Sequence, residues 1–263
     1  MYTSNTDGIK LGKPAAIEAQ GLYCSYQENQ ILKDVNFTVK QGEAFFIIGG
    51  SGCGKSTLLR TLVGLNAPQQ GNVEILGKPF SKADIATRRV QLMNIGMLFQ
   101  SSALWSSLTL RQNVSLPLEE HTSLNRKEID EIAMLKLAQL GLKGFEDYYP
   151  SEISGGMKKR AGLARALVLD PAIVFFDEPW AGLDPITSRK LNHQIKDIQQ
   201  TFGTTLVIVS HELESIFELA DRVIMLDRLA KNIIAEGNPH DLLKSNTDTR
   251  VRDFLHRGDA NKH

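Results

Sequence analysis

The segment Gly49-Gly50-Ser51-Gly52-Cys53-Gly54-Lys55-Ser56-Thr57 constrains this chain more than any other. It follows Ala44 to Ile48, an unbroken apolar run of the kind that forms a strand buried on both faces. It leads into Ser56 to Leu65, whose spacing predicts a helix. A glycine-rich turn of the form G-x-x-x-x-G-K-[ST] between strand and helix lets backbone N–H groups curl around phosphate oxygens with no side chain in the way. The helix N-terminus adds partial positive charge. In that setting Lys55 reaches the β- and γ-phosphates, and the Ser56 hydroxyl ligates Mg²⁺. The competing reading is a glycine-rich turn without ligand; the flanking strand and helix speak against it.

Two further segments fit phosphate chemistry. Ile173-Val174-Phe175-Phe176 is an apolar strand that ends in Asp177-Glu178. A carboxylate at the end of a buried strand needs its charge compensated, and Mg²⁺ held through water would do this for Asp177. Glu178 would then face the water that attacks a γ-phosphate, as general base or orienting group. Taken alone, the pair also fits a strand running into a solvated acidic loop. Ile153-Ser154-Gly155-Gly156-Met157 opens a helix and is followed by Lys158-Lys159-Arg160. A Ser-Gly-Gly turn at a helix start is an anion cradle. A second cradle makes sense if it serves the nucleotide of a neighbouring subunit; the alternative is a capped surface helix with solvated basic residues.

The 263 residues suit one large α/β domain, or one with a helical insertion. Residues 1–14 read as a flexible tail. Ile17 to Tyr23 and Val35 to Val39 read as strands, the latter with one wet face. Residues 109–168 carry helical spacing, with Ile129, Ile132, Leu135 and Leu140 as the expected apolar stripe and Asn125 with Glu128 as a capping box. Beyond them strands and helices alternate: Ile173 to Phe176, Ser188 to Gln200, Leu206 to Val209, Leu213 to Ala220 and Val223 to Leu226. That order predicts a parallel sheet. The expected organisation is one α/β domain over 15–245, with a core of 15–100 and 169–245, a helical subdomain over about 101–168, and a C-terminal extension of 246–263.

Thirty basic residues balance thirty acidic ones, so no overall basic field suggests nucleic acid as a partner. The first residues show no signal-peptide pattern, and nowhere do eighteen apolar residues run together, so no bilayer span is expected. With Cys24 and Cys53 its only cysteines, the chain is not expected to hold a disulfide framework, and it reads as a cytoplasmic globular protein.

From about Gly21 to Leu255 the chain resembles the ATPases of ABC transporters. Gly49 to Thr57 resembles their Walker A motif, Gln100 the Q-loop, Ser154 to Met157 the signature, and Asp177-Glu178 Walker B. Ala181-Gly182-Leu183-Asp184 resembles the D-loop, and His211 the switch histidine. Tyr26 falls where the family stacks an aromatic ring on adenine; alone it would be core filler, as His211 alone would be a surface histidine. The resemblance implies a P-loop NTPase core of ABC type with a mixed sheet, an antiparallel β subdomain and an inserted helical subdomain. It implies ATP and Mg²⁺ as ligands, with Gln100 sensing the metal. Two copies would sandwich each nucleotide between one phosphate loop and the partner's Ser154, Gly155 and Gly156. His211 would hold Glu178 and the attacking water, and Asp184 would couple the two sites. The segment after Gln100, with Leu104, Trp105 and Leu108, would receive a cytoplasmic helix of a membrane permease.

Within that family, Met157 in place of the usual glutamine, Ile95 to Leu104, Asp177-Glu178-Pro179-Trp180 and Val251 to Leu255 resemble the Mla/Mce-type systems. These move phospholipids or other lipids between the inner membrane and periplasmic carriers, so a peripheral position on the cytoplasmic side of the inner membrane is implied. Gly50 where a proline is usual and Ile153 for the common leucine depart from the pattern without removing a catalytic group. The competing readings are an ABC ATPase for another solute, a soluble ABC ATPase acting in DNA repair or on ribosomes, and a module that keeps the fold without hydrolysis.

Overall fold

Alternation within β3 (Ala44–Gly49), buried along its whole length, divides the molecule into two layers. Phe45 and Ile47 point to one side of the sheet; Ala44, Phe46 and Ile48 point to the other. The computed structural model describes residues 15–26, 29–245 and 247–256. The expected 1–14 tail lies outside the described residues, as do residues 257–263.

The chain enters through β1 (Ile17–Tyr26) and β2 (Asn29–Val39), then β3 and α1 (Lys55–Leu62). Next come β4 (Gln70–Ile75), β5 (Lys78–Pro79), α2 (Ile85–Leu92) and β6 (Ile95–Leu98). The inserted helices are α3 (Leu110–His121), α4 (Arg126–Gln139) and α5 (Gly155–Leu167). The return runs through β7 (Ile173–Asp177), α6 (Pro185–Phe202), β8 (Thr205–Val209), α7 (Leu213–Leu219), β9 (Arg222–Asp227) and β10 (Asn232–Gly237). It finishes in α8 (Pro239–Ser245) and α9 (Thr249–His256), and Val251 and Leu255 of α9 are fully buried.

A six-stranded sheet has the order β10-β9-β3-β8-β7-β6. The pairs β9–β3, β3–β8, β8–β7 and β7–β6 are parallel, as the alternation predicted. β10, at the edge, runs antiparallel to β9 because residues 228–231 are too few for a crossover, so the sheet is mixed as expected. A second, antiparallel sheet, β2-β1-β4-β5, closes one side. There, Ile17, Leu22 and Val39 pack with Leu58, Leu59 and Leu62 of α1 against Phe45 and Ile47. On β2, Val35, Phe37 and Val39 are buried while Asn36 and Thr38 are exposed, the wet face read from the sequence. Helices α3 to α9 cover the opposite side, over Phe46, Ile48, Val174 and Phe176.

One expected stripe is corrected. On α4 the buried residues are Ile129, Ala133 and Leu137, while Leu135 is 57% exposed. Residues four apart share a helix face; Leu135 sits two places from Ala133 and Leu137 and falls on the opposite one. The capping box before α4 forms as expected, with Glu128 N–H donating to Asn125 Oδ1 at 3.1 Å and Asn125 N–H to Glu128 Oε2 at 2.8 Å.

Close approach of α5 to β6 depends on Gly96. A Cβ there would lie 2.3 Å from the Ala166 carbonyl oxygen and 3.1 Å from Pro171. Gly96→Ala is expected to lower stability by about 1–3 kcal/mol through overpacking, read from the denaturant midpoint. An unchanged midpoint would mean that α5 can shift freely.

Candidate nucleotide site

Sheet register decides where each functional group leaves the sheet. Leu98 pairs with Phe176, Asp177 with Val209, and Ile47 with Val209. The phosphate loop, Gln100, Glu178 and His211 therefore emerge side by side at the carboxyl ends of β3, β6, β7 and β8. Parallel α/β sheets place their ligands at this edge.

Glycine is required in the loop itself. Gly49 has φ 140°, and a Cβ there would come within 2.4 Å of the Leu226 carbonyl. Gly54, the N-cap of α1, has φ 106° and no room for a Cβ beside Ile31. With no side chain capping α1, the first N–H groups of the helix stay available to an anion. Lys55 Nζ donates to the carbonyls of Gly49 at 2.9 Å and Gly50 at 3.2 Å, so the ammonium already lies across the loop. Cys53 is 2% exposed and its sulfur packs beneath Gly49; burial pushes the thiol pKa up.

Asp177 closes β7, and burial, then the neighbouring Glu178, raises its carboxyl above the ordinary range. Glu178 follows with φ 47°, its N–H donating to the Val209 carbonyl at 2.9 Å. Its Oε1 lies 2.9 Å from His211 Nδ1, the carboxylate 14% exposed and the ring 69%. Gly49, Gly50, Ser51, Gly52, Lys55, Ser56, Gln100, Glu178 and His211 open onto one cleft of about 1390 Å³. Among the described residues no three His, Cys, Asp or Glu are grouped to hold a metal unaided. Ser56 and Asp177 beside a phosphate cradle instead fit Mg²⁺, which takes few protein ligands and shares substrate phosphates.

The Ser154–Gly156 turn opens elsewhere. Ser154 Oγ accepts from Met157 N–H at 3.3 Å and caps α5. Together with Gly156, Leu183 and Thr187 it lines a separate cleft of about 370 Å³. Asp184 caps α6, accepting from the N–H groups of Ile186 and Thr187 at 3.0 Å and from the Thr187 hydroxyl at 2.6 Å. The Thr187 contacts hold this carboxylate below its usual range.

The family model described as "ABC transporter" matches residues 32–181. The chain belongs to the ABC transporter family. It is the ATP-binding subunit and an ATPase. It is 40% identical over 252 residues to the "probable ribonucleotide transport ATP-binding protein mkl" of Mycobacterium bovis, covering 96% of this chain and 69% of that one. It is also 40% identical over 228 residues to the "intermembrane phospholipid transport system ATP-binding protein MlaF" of Escherichia coli, covering 86% of this chain and 82% of that one. The solved ATP-binding cassette MJ0796, a dimer in a post-hydrolysis state bound to ADP and Pi, superposes with a TM-score of 0.77 at 29% identity, over 84% of this chain and 98% of that one.

Tyr26, the expected adenine partner, ends β1, and its side chain lies outside the described residues. Other groups of this ABC subunit escape a reading from sequence. Lys159 is 5% exposed, not solvated, and Arg160 donates to the carbonyls of Leu140 and Gly141. Trp180 stacks on Phe46 and donates to Asn192 Oδ1 at 2.6 Å, while Asn192 Nδ2 donates to Glu218 at 2.6 Å. Only the run of three basic residues and the lone tryptophan after Asp177-Glu178-Pro179 hinted at either.

Proposed function

We propose that two copies of this chain close over ATP and Mg²⁺ beneath an integral-membrane permease, and that the work done is lipid transport. One observation carries the dimer: Lys55, Gln100, Glu178 and His211 share one cleft while the Ser154 turn faces another. A second anion cradle outside the nucleotide cleft is used if a second copy brings its nucleotide to it.

In this reading Lys55 and the loop N–H groups hold the β- and γ-phosphates. Ser56 and Asp177 would hold Mg²⁺, and the ion would supply neutralisation of phosphate charge. Glu178 takes up or orients the proton of the attacking water, and His211 holds Glu178 at the 2.9 Å contact. Gln100 would sense a bound metal and the water, and Asp184, on the α6 cap, would couple the two sites. Positioning and charge stabilisation suffice for this chemistry.

Lipid as cargo is favoured by the phospholipid-transport name of the MlaF relative, together with Met157 in the signature. A Mla/Mce-type permease on the cytoplasmic side of the inner membrane and a periplasmic lipid carrier are the matching partners. Transport of another solute is the second reading, favoured by the ribonucleotide-transport name of the mkl relative. Purifying the subunit with its membrane partner and identifying bound small molecules by mass spectrometry decides between them; a bound solute other than lipid and adenine nucleotide would favour the second. No helix among the described residues is long and apolar enough to cross a membrane, so the permease contact needs a surface.

Trp105 offers one. The residue is 63% exposed beside a cleft of about 350 Å³ shared with Leu92, Phe99 and Pro117. Its backbone N–H donates to Asn113 Oδ1 at 2.7 Å, and its carbonyl accepts from Asn113 Nδ2 at 3.0 Å, so the ring is presented on a fixed loop. Leu104, expected at the same surface, packs instead against the main core, so Leu104→Glu reports on stability and not on docking. Trp105→Ala is expected to change stability by no more than about 0.5 kcal/mol. The same variant should weaken permease binding by about 2 kcal/mol, roughly thirty-fold in pull-down affinity. Unchanged binding would move the docking site elsewhere.

A further inference from the structure

Helix α5 carries three cations that donate to backbone carbonyls, and two of them, Lys159 and Arg165, reach the segment that follows β6. Lysine is seldom buried without a partner. Lys159, 5% exposed, donates from Nζ to the Gln100 carbonyl at 2.5 Å and lies 3.5 Å from the Glu178 carbonyl. Arg165, further along the helix, donates to the carbonyls of Ala103 at 2.8 Å and Ser102 at 2.9 Å. Ser102, Ala103 and Glu178 all sit in the left-handed region, with φ of 64°, 46° and 47°. Such backbone persists only where its surroundings hold it.

The two carbonyls that Lys159 bridges stand in equivalent places. Gln100 is two residues past Leu98, Glu178 is two past Phe176, and Leu98 and Phe176 are register partners. The ammonium therefore spans adjacent strand ends just beyond the β6–β7 pairing. Asp177 and Glu178 both act on its charge. The simpler reading, a cation that only satisfies two carbonyls in the core, predicts no kinetic effect beyond loss of fold.

We propose that Lys159 is a positioning residue that fixes the spacing between Gln100 and Glu178. A displacement of the 100–105 segment then reaches the carboxylate through this ammonium. The inference rests on the reading of Glu178 as the group that orients the attacking water.

The test compares Lys159→Met and Lys159→Arg in the full chain, with kcat, KM for ATP and melting temperature measured together. Misplacement of a catalytic group lowers kcat of Lys159→Met about a hundred-fold. KM stays within about two-fold, since the phosphate loop is untouched. Lys159→Arg, which keeps charge and donors, recovers about ten-fold of the loss. Single-turnover rates supply the decisive comparison: on a Glu178→Gln background, Lys159→Met costs less than about two-fold more, because residues acting as a unit are not additive. Undiminished kcat, a loss confined to KM, no recovery by arginine, or full additivity with Glu178→Gln would each overturn the proposal. So would failure of both Lys159→Met and Lys159→Gln to fold, which would assign the residue to the core. Undiminished turnover in Glu178→Gln alone would instead overturn the underlying role of Glu178.

Discussion

Glu178→Gln is expected to lower ATP turnover by about two to four orders of magnitude while leaving nucleotide affinity within about two-fold. The substitution is nearly isosteric, so the contact to His211 Nδ1 at 2.9 Å and the backbone hydrogen bond to Val209 can both persist. What disappears is the lone pair that takes up a proton; the cradle formed by Gly49 to Thr57 is untouched. ATP should then hold two copies together, and the variant should elute as a dimer with ATP and as a monomer without it. Turnover near the wild-type rate would remove Glu178 from the reaction.

Ser154→Arg is expected to lower turnover by about two to three orders of magnitude, the usual loss when a preorganised anion donor is blocked. Nucleotide binding by the isolated monomer should not change, because Ser154 lines the smaller cleft and not the one holding Lys55. Losing the cap on α5 costs about 1 kcal/mol in addition, so a melting curve belongs beside the kinetics. Lys55→Ala should behave oppositely and lose ATP affinity in the monomer. Mixing the two variants gives heterodimers with at most one competent composite site. Equal loss of monomer affinity in both variants would show that the two turns serve one nucleotide within a chain.

What the sequence discloses about this molecule is what is local in it. The phosphate loop and Asp177-Glu178 are readable because strand, turn and helix follow one another directly, and each residue's role depends on its immediate neighbours. Gln100 and His211 are far weaker signals alone, and only the order of motifs gives them meaning. Basic residues after Ser154 read as a solvated face, since a helix that packs on three sides has no clean stripe to betray Lys159. The Trp180–Asn192–Glu218 network is likewise hidden, because its members come from the segment after β7, α6 and α7. Leu135 misleads for a related reason: alanine at 133 faces the core while carrying little hydrophobic signal.

The pairing of Leu98 with Phe176 has a consequence for which length changes this chain can absorb. Losing Phe99 would draw the amide of Gln100 back toward the end of β6 and out of step with Glu178. A residue gained in the 122–125 link between α3 and α4 would leave that spacing alone, since α5 and β7 return to fixed places in the core and sheet. A reporter domain spliced into 122–125 should therefore leave hydrolysis intact, whereas the strand ends work as a ruler that admits no insertion.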